Sequence, residues 1–410
     1  MMELGERFGK SITPILLFLM ASLGMMGGAL VSPGLSVLAE AFQVSESSIG
    51  VVLSLLTIAA AISLPLTGLL TDILGRRIMG LAYLLINGIF GTACIFAGSF
   101  RQLLFFRFMQ GIGIAGLIPL AITIVSDLYQ GPKRVRMTGL ISGVVSISQI
   151  IIPSLGGVLA YQNWRYPFLI YGISLLTAVL FYFFITETKE NWREGKSSLK
   201  EIKESLLNYP GIIRKIFALK DLRRVLFHSL FLYYSLYALT AYIPLFVTLN
   251  LGFTTTEAGL ALALHGLLAA FCSYFSYYID RILNWRQQVT VGFVLVVISL
   301  ILIPYLNSFS GVLISMLIYG IGLGIIQPTI FNRITIEAPK EIKGLVLAFF
   351  NSMKYIGMTL APLTLQFVYA RGGYTAVFIS AASLILLWVF VFNIRKTTVK
   401  SGNFSDQETV

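Results

Sequence analysis

The stretch Gly68-Leu69-Leu70-Thr71-Asp72-Ile73-Leu74-Gly75-Arg76-Arg77 separates two apolar runs, Ile49 to Leu70 and Ile78 to Ala97. Asp72 ends a helix, Gly75 permits a tight turn, and Arg76 and Arg77 place two cations between the runs. Each run is about 20 residues, the length a helix needs to cross a bilayer. The rest of the chain repeats the pattern. Of 410 residues, 57% are hydrophobic and only 12% charged, and the mean hydropathy is +0.84, which excludes a soluble globular protein and leaves no room for a sizeable soluble domain.

Outward from that stretch, further spans are expected at Thr13 to Leu35, Gln102 to Val125, Met137 to Ala160 and Pro167 to Thr186. After a polar interval, six more are expected at Leu226 to Leu249, Glu257 to Ile279, Val289 to Leu306, Gly311 to Ile330, Leu345 to Tyr369 and Ala376 to Phe392. The first run, preceded by Arg7 and Lys10, is too long for a signal-peptide core and has no small-residue cleavage site behind it, so it reads as a retained span. Cys94 and Cys272 fall inside apolar runs and imply no disulfide framework.

The net charge of +12 is spread through the short gaps between runs rather than gathered on one patch, which excludes a nucleic-acid partner. On one side lie the N-terminal tail, alternate gaps, the central stretch and the C-terminal tail. These hold all of the Lys and Arg except Arg101, Arg165 and Arg371 on the other side and Arg107 and Lys354 within spans. The positive-inside rule then puts both termini and the central stretch in the cytoplasm.

Gly111-Ile112-Gly113-Ile114-Ala115 with Pro119 recurs as Gly320-Ile321-Gly322-Leu323-Gly324 with Pro328, an offset of 209 residues. The same offset pairs Ser45, Ser47 and Gly50 with Thr254, Thr256 and Gly259, and Asp72 lies one residue out of register with Asp280. The expected fold is therefore all-α, with twelve transmembrane helices in two related six-helix bundles. Residues 1–186 form the N-terminal bundle, 187–224 a cytoplasmic linker, 225–394 the C-terminal bundle and 395–410 a cytoplasmic tail. Leu199, Ile202, Leu206, Ile213, Ile216 and Phe217 among the charges of the linker predict a helix lying at the membrane surface. A parallel repeat of this kind is the architecture of carriers that bind substrate between two halves and rock around it.

The stretch 68–77 resembles the loop signature G-x-L-x-D-x-x-G-R-[RK] of the major facilitator superfamily. Arg107-Phe108-Met109-Gln110-Gly111-Ile112-Gly113 is similar to that superfamily's R-x-x-Q-G-x-G signature, in which the arginine is linked to substrate or proton handling. Gly139, Pro153, Gly156 and Gly157 match the antiporter signature of the fifth span. Ser148 and Ile152 stand where it has glycines, which weakens the likeness to the drug:proton antiporter branch. Gly28 and Pro33 resemble that branch's first-span pattern, and Asp280-Arg281 with Leu283 and Asn284 is a degenerate second copy of the loop signature. The resemblance implies the major facilitator fold, a monomer in the cell membrane, no cofactor, and export of drug-like compounds against proton entry.

Two nucleotide-like patterns mislead. Gly111-Ile112-Gly113-Ile114-Ala115-Gly116 satisfies G-x-G-x-x-G, but apolar membrane helix flanks it on both sides where a strand and a soluble helix are needed. Gly195-Lys196-Ser197 ends like a phosphate loop, with Glu190 in the position of the leading glycine. Transport is therefore expected to run on gradients. With two histidines and neither H-E-x-x-H nor G-x-S-x-G, nothing supports an enzyme, a receptor or a metal site.

Charged and polar groups at bilayer depth are the candidate site, because burying them costs roughly 2.5–3.5 kcal/mol each and they usually face a partner or a water-filled cavity. Lys354 lies ten residues past Gly344, about 15 Å along a helix, near the midplane. Aligning Gly139 with Gly344 sets Lys354 against Gln149 and Asn351 against Ser146, two equivalent polar patches expected to face a central cavity. Arg107, Gln110 and His265 join them as candidates for the substrate and proton pathway, and Tyr234 and Tyr237 are the expected lining from the aromatic seventh span. Asp127 and Arg136 are expected to join Asp72 and Arg76 in a cytoplasmic charge network that latches one conformation.

All 18 acidic residues fall in tails, loops or span ends. Either Asp72, Asp127 or Glu257 carries protons, or His265 and the cations do, or coupling uses another ion. Export of small amphipathic or hydrophobic compounds by proton antiport is the primary expectation. A carrier for an anionic metabolite or lipid-linked substrate is the alternative, motivated by Arg107 and Lys354.

Overall fold

The computed structural model describes residues 2–188, 211, 214, 216–339 and 343–394. Its long helices are α1 (Met2–Ala29), α2 (Val51–Leu74), α3 (Arg76–Ala93), α4 (Phe100–Leu128), α5 (Gly131–Gln162), α6 (Gly172–Phe184), α7 (Lys220–Leu245), α8 (Thr255–Tyr274), α9 (Trp285–Leu306), α10 (Phe309–Glu337) and α11 (Lys343–Ile394). A 3-10 turn, Ser32–Gly34, and a short helix, Leu35–Ala41, continue α1. Among the described residues, eleven helical segments are long and apolar enough to cross a membrane. Helix throughout is the physical answer to lipid, where each backbone N–H and C=O must be satisfied within its own segment. The surface helix expected from Leu199, Ile202, Leu206 and Ile213, and the expected tail 395–410, lie outside the described residues.

The internal repeat governs the packing. Ser99 caps α4 by accepting from Gln102 N, and Ser308 caps α10 by accepting from Gly311 N; the two caps are 209 residues apart and both helices have 29 residues. Gly111 of α4 presses on the Leu56 carbonyl of α2, and Gly320 of α10 presses on the His265 carbonyl of α8, the equivalent position. Small residues at these crossings let the backbones touch.

The two spans expected at 345–369 and 376–392 are the two helical arms of α11, which meet at a kink with non-helical backbone at Gly373. A straight helix of its 52 residues would be about 78 Å long, more than twice a ~30 Å hydrocarbon core. Contacts with α7 and the residues flanking it give its path. Phe349 meets Phe217 at 5.5 Å between ring centroids, Thr364 Oγ1 lies 2.8 Å from Tyr234 OH, and the Tyr369 ring meets Tyr242 at 5.9 Å. Beyond Gly373 the order reverses: Tyr374 meets Phe246 at 5.4 Å, and Trp388 stacks on Phe231 at 4.8 Å and donates to His228 Nδ1 at 2.9 Å. The chain turns back at Gly373, whose φ of 61° and ψ of −159° lie in a region essentially reserved for glycine.

The segment before residue 188 and the segment after 216 touch along α5 with α8 and along α2 with the first arm of α11. The contacts are densest at the end of the molecule that carries Ser32 and Glu46. There Ser32 Oγ donates to the Thr240 carbonyl, Thr255 Oγ1 donates to the Gly157 carbonyl at 2.9 Å, and Gly50 packs on Pro362. Thr57 and Thr359 hydroxyls meet at 2.9 Å, and Tyr355 still reaches Ala60 and Leu64 of α2. Toward the Asp72 end the faces part. Gly68 of α2 and Gly139 and Gly143 of α5 have nothing within 4 Å of where a Cβ would stand. A cleft therefore opens at the Asp72 end and closes at the Glu46 end.

Candidate functional site

Lys354 stands where the cleft narrows, one residue before the Tyr355 that bridges to α2. Its Nζ lies 4.6 Å from the centroid of the Tyr233 ring and 3.5 Å from Asn351 Oδ1. Gln327 Nε2 of α10 donates to the Tyr233 hydroxyl at 3.1 Å and so holds the ring beneath the ammonium. A cation over a π face is attracted by the ring quadrupole, but that attraction is weaker than an ion pair. Asn351 donates its own amide to the Leu347 carbonyl at 3.1 Å, which leaves its oxygen turned toward Lys354. Gln149 is half-buried, and its backbone carbonyl backs onto Gly266 of α8.

The expected lining residues Tyr234 and Tyr237 sit on either side of this point. Tyr234 is buried against Thr364, and Tyr237 is buried with its hydroxyl against Gly28 of α1. Tyr233 takes the position beside Lys354. The aromatic richness of the seventh span carried that information, but adjacent helical residues point about 100° apart, and the choice among them depends on where α10 and α11 lie. His265 is buried with its ring 5.9 Å from that of Tyr319, on the inner face of α8 against α10.

Arg107 is fully enclosed among the first six helices, on no wall of the cleft. It donates to Gln110 Oε1 at 2.7 Å, to the Val52 carbonyl at 3.4 Å and to the Gly27 carbonyl. Gln110 Nε2 continues to Asn87 Oδ1 at 3.1 Å, and Asn87 Nδ2 continues to Ser174 Oγ at 3.2 Å. One guanidinium thereby ties α1, α2, α3, α4 and α6 together, and every group it touches is neutral.

The loop between α2 and α3 gathers charges. Arg76 bridges Asp72 at 3.2 Å and Asp127 at 3.1 Å. Gly75, at φ 90° and ψ 158°, makes the turn. Arg77 donates to the Tyr182 carbonyl at 2.6 Å and lies over that ring. Arg136 is exposed on α5 and forms no ion pair with the described residues, so the network expected to include it closes without it. Glu187 takes a place the sequence did not advertise. Its two carboxylate oxygens accept from the backbone N–H of Arg76 and Arg77, at 2.9 and 3.1 Å, and cap the start of α3 with a negative charge. Thr188 adds a bond to Asp127 at 2.9 Å. The carboxylate comes from more than a hundred residues downstream, beyond the reach of local pattern.

Along α5 the antiporter-type positions divide. Gly156 packs on the Leu30 carbonyl, Gly157 on the Thr255 carbonyl, and the Pro153 carbonyl meets Gly259, which makes this part of α5 a close joint with α1 and α8. Ser148, where the pattern has glycine, bonds Ser22 of α1 at 3.0 Å, and Ile152 is buried. Gly139, farther toward the Asp72 end, is bare. At the opposite end Glu46 Oε2 accepts from the hydroxyls of Tyr369 and of Tyr374, the latter at 2.7 Å, and binds the N-terminal segment to the hairpin of α11. Glu257 is used locally, in a capping box with Thr254. Among the described residues no group of His, Cys, Asp and Glu side chains is arranged to hold a metal ion.

Comparison with known proteins identifies the family and the fold. The chain is 24% identical over 390 residues to the bacillibactin exporter of Bacillus subtilis, covering 90% of this chain and 93% of that one. It is 20% identical over 371 residues to the quinolone resistance protein NorA of Staphylococcus aureus, covering 89% and 92%. Among solved structures, a bacterial homologue of the human lysosomal transporter Spinster, inward-facing and occupied, superposes with a TM-score of 0.76 at 16% identity over 97% of this chain and 99% of that one. A D-xylose-proton symporter superposes at 0.70 and 16% identity, covering 93% and 97%. At these identities the structural likeness establishes the shared fold. The family model described as Major Facilitator Superfamily matches residues 17–362, and with the all-helical fold and its repeat the chain belongs to that superfamily of membrane transporters.

Proposed function

We propose that this transporter exports small amphipathic or hydrophobic compounds across the cell membrane by alternating access, coupled to inward proton flow. In this reading α11 crosses twice, turning at Gly373, which gives twelve crossings with both termini in the cytoplasm. Residues 1–186 and 225–394 form the two bundles, joined by the cytoplasmic linker 187–224, in a monomer. The observation that carries the reading is the arrangement of the two segments among the described residues, joined at the Glu46 end and parted at the basic Asp72 end, with Lys354 and Tyr233 where they part. Since the basic end faces the cytoplasm under the positive-inside rule, this is the state that loads cargo from inside. Two relatives that align over most of the chain are named for export and for quinolone resistance, which supports the outward direction.

The test is transport by the purified protein in liposomes. With an imposed pH gradient, the neutral amphipathic dye Nile red is expected to move against its own gradient, and collapse of the pH gradient is expected to stop it. Failure to move any amphipathic dye under that gradient would remove the export reading. A carrier for an anionic metabolite or lipid-linked molecule is the second reading, favoured by the cation Lys354, beside which the described residues place no acid. Loss of anion counterflow in Lys354→Gln, with the drug resistance of host cells unchanged, would favour it.

A further inference from the structure

Lys354 brings a positive charge to the apex of the cleft, and among the described residues nothing of opposite sign stands beside it. An ammonium has three N–H donors. The described residues offer it one oxygen, Asn351 Oδ1 at 3.5 Å, and one ring face, Tyr233 at 4.6 Å. The acids lie elsewhere. Glu46 and Glu257 are engaged at the closed end by Tyr369, Tyr374 and Thr254. Asp72, Asp127, Glu187, Asp221, Asp280 and Glu337 are engaged at the open end by Arg76, the start of α3, Arg224, Gln288 and Arg333.

Arg107 adds a second positive charge to the interior, and its partners are all neutral. In a medium of low dielectric, two uncompensated cations raise a positive potential that an entering anion lowers. Arg107 is enclosed and cannot touch a ligand in the cleft, so only one cation is within reach: the seat fits one acid group. The surfaces beside Lys354 are flat and aromatic. Tyr233 is fixed by Gln327, and Tyr355 stands one residue along, on Ala60 and Leu64.

We propose that this apex is the substrate seat and that it selects small aromatic monoacids, a carboxylate or sulfonate on a flat ring, with the acid on Lys354 Nζ and the ring against Tyr233 and Tyr355. The assignment rests on the export reading and narrows its substrate class. Asn351 and Gln327 act as positioning residues, the first on the ammonium and the second on the Tyr233 ring.

Three probes of nearly equal shape separate charge from ring: 1-naphthoate, 1-naphthamide and 1-naphthylmethylammonium. In phosphatidylcholine proteoliposomes, binding is read by quenching of intrinsic fluorescence and transport by counterflow. The wild type is expected to bind naphthoate at least about 10-fold more tightly than naphthamide, the range of one charge-assisted hydrogen bond. Lys354→Gln is expected to remove that preference with naphthamide affinity unchanged, Lys354→Arg to keep it, and Lys354→Glu to turn it toward naphthylmethylammonium. Equal affinity of the wild type for the three probes, or a naphthoate preference surviving in Lys354→Gln, overturns the proposal. The wild-type comparison decides the matter even where a variant fails to fold. If Nile red moves under a pH gradient while naphthoate is not preferred, the export reading stands and the acid seat falls. If neither Nile red nor any naphthalene probe moves, both fall.

Discussion

At the scale of the residue, Arg107 and Lys354 show two ways of carrying a cation into lipid. Arg107 is satisfied from every side by carbonyls and amides, and its planar fork is what lets it reach Val52, Gly27 and Gln110 together. A lysine keeps the charge but is a point donor on a flexible stem. Arg107→Lys is therefore expected to destabilise the protein by about 1–3 kcal/mol by leaving buried acceptors unpaired, seen as a lower midpoint of thermal unfolding in detergent; an unchanged midpoint would show that the network does not depend on the fork. The sequence marked both cations as exceptional, since charge inside an apolar run is visible without a structure. It did not show which one is walled in, because that depends on five helices meeting around position 107. Tyr233 was missed in favour of its neighbours Tyr234 and Tyr237 for the same reason.

At the scale of the element, glycine conformation decides where helices end. The break at Gly75 was legible because a charged motif surrounds it. Gly373 lies in the run Arg371-Gly372-Gly373-Tyr374 between two apolar stretches, which led to the expectation of two separate spans, and the structure has two helical arms that meet at a non-helical Gly373. At φ 61° and ψ −159° a Cβ is strained whatever the space around it. Gly373→Ala is expected to cost about 1–3 kcal/mol, measured as a fall in the unfolding midpoint, and since nothing lies within 4 Å of a Cβ at this position the loss is one of conformation and not of space. An unchanged midpoint would argue against conformational strain at the bend. The caps of α4 and α10 and their crossing glycines were readable as a 209-residue repeat, because both the capping and the close approach are written locally. The Glu187 cap on α3 was not readable, since its partner is supplied by tertiary folding.

At the scale of the whole molecule, the closed end is held by a few polar contacts, and Glu46 is the one that joins the N-terminal segment to the turn of α11 through two tyrosines. Replacing its carboxylate weakens acceptance from both hydroxyls at once. Glu46→Gln is expected to shift the population toward separation at this end, read as a longer distance between spin labels at Ser47→Cys and Arg371→Cys in a background where Cys94 and Cys272 are serine. No change in that distance distribution would show that the glycine and threonine contacts suffice alone. The opposite end invites a different thought. Gly68, Gly139 and Gly143 are bare, and in this arrangement nothing demands that they be small. Under the alternating-access reading proposed above, a side chain omitted where nothing presses against it is room kept for a neighbour that has moved away, and the smooth strips of α2 and α5 would then be the mould of a second shape of the same chain, in which the parted faces meet.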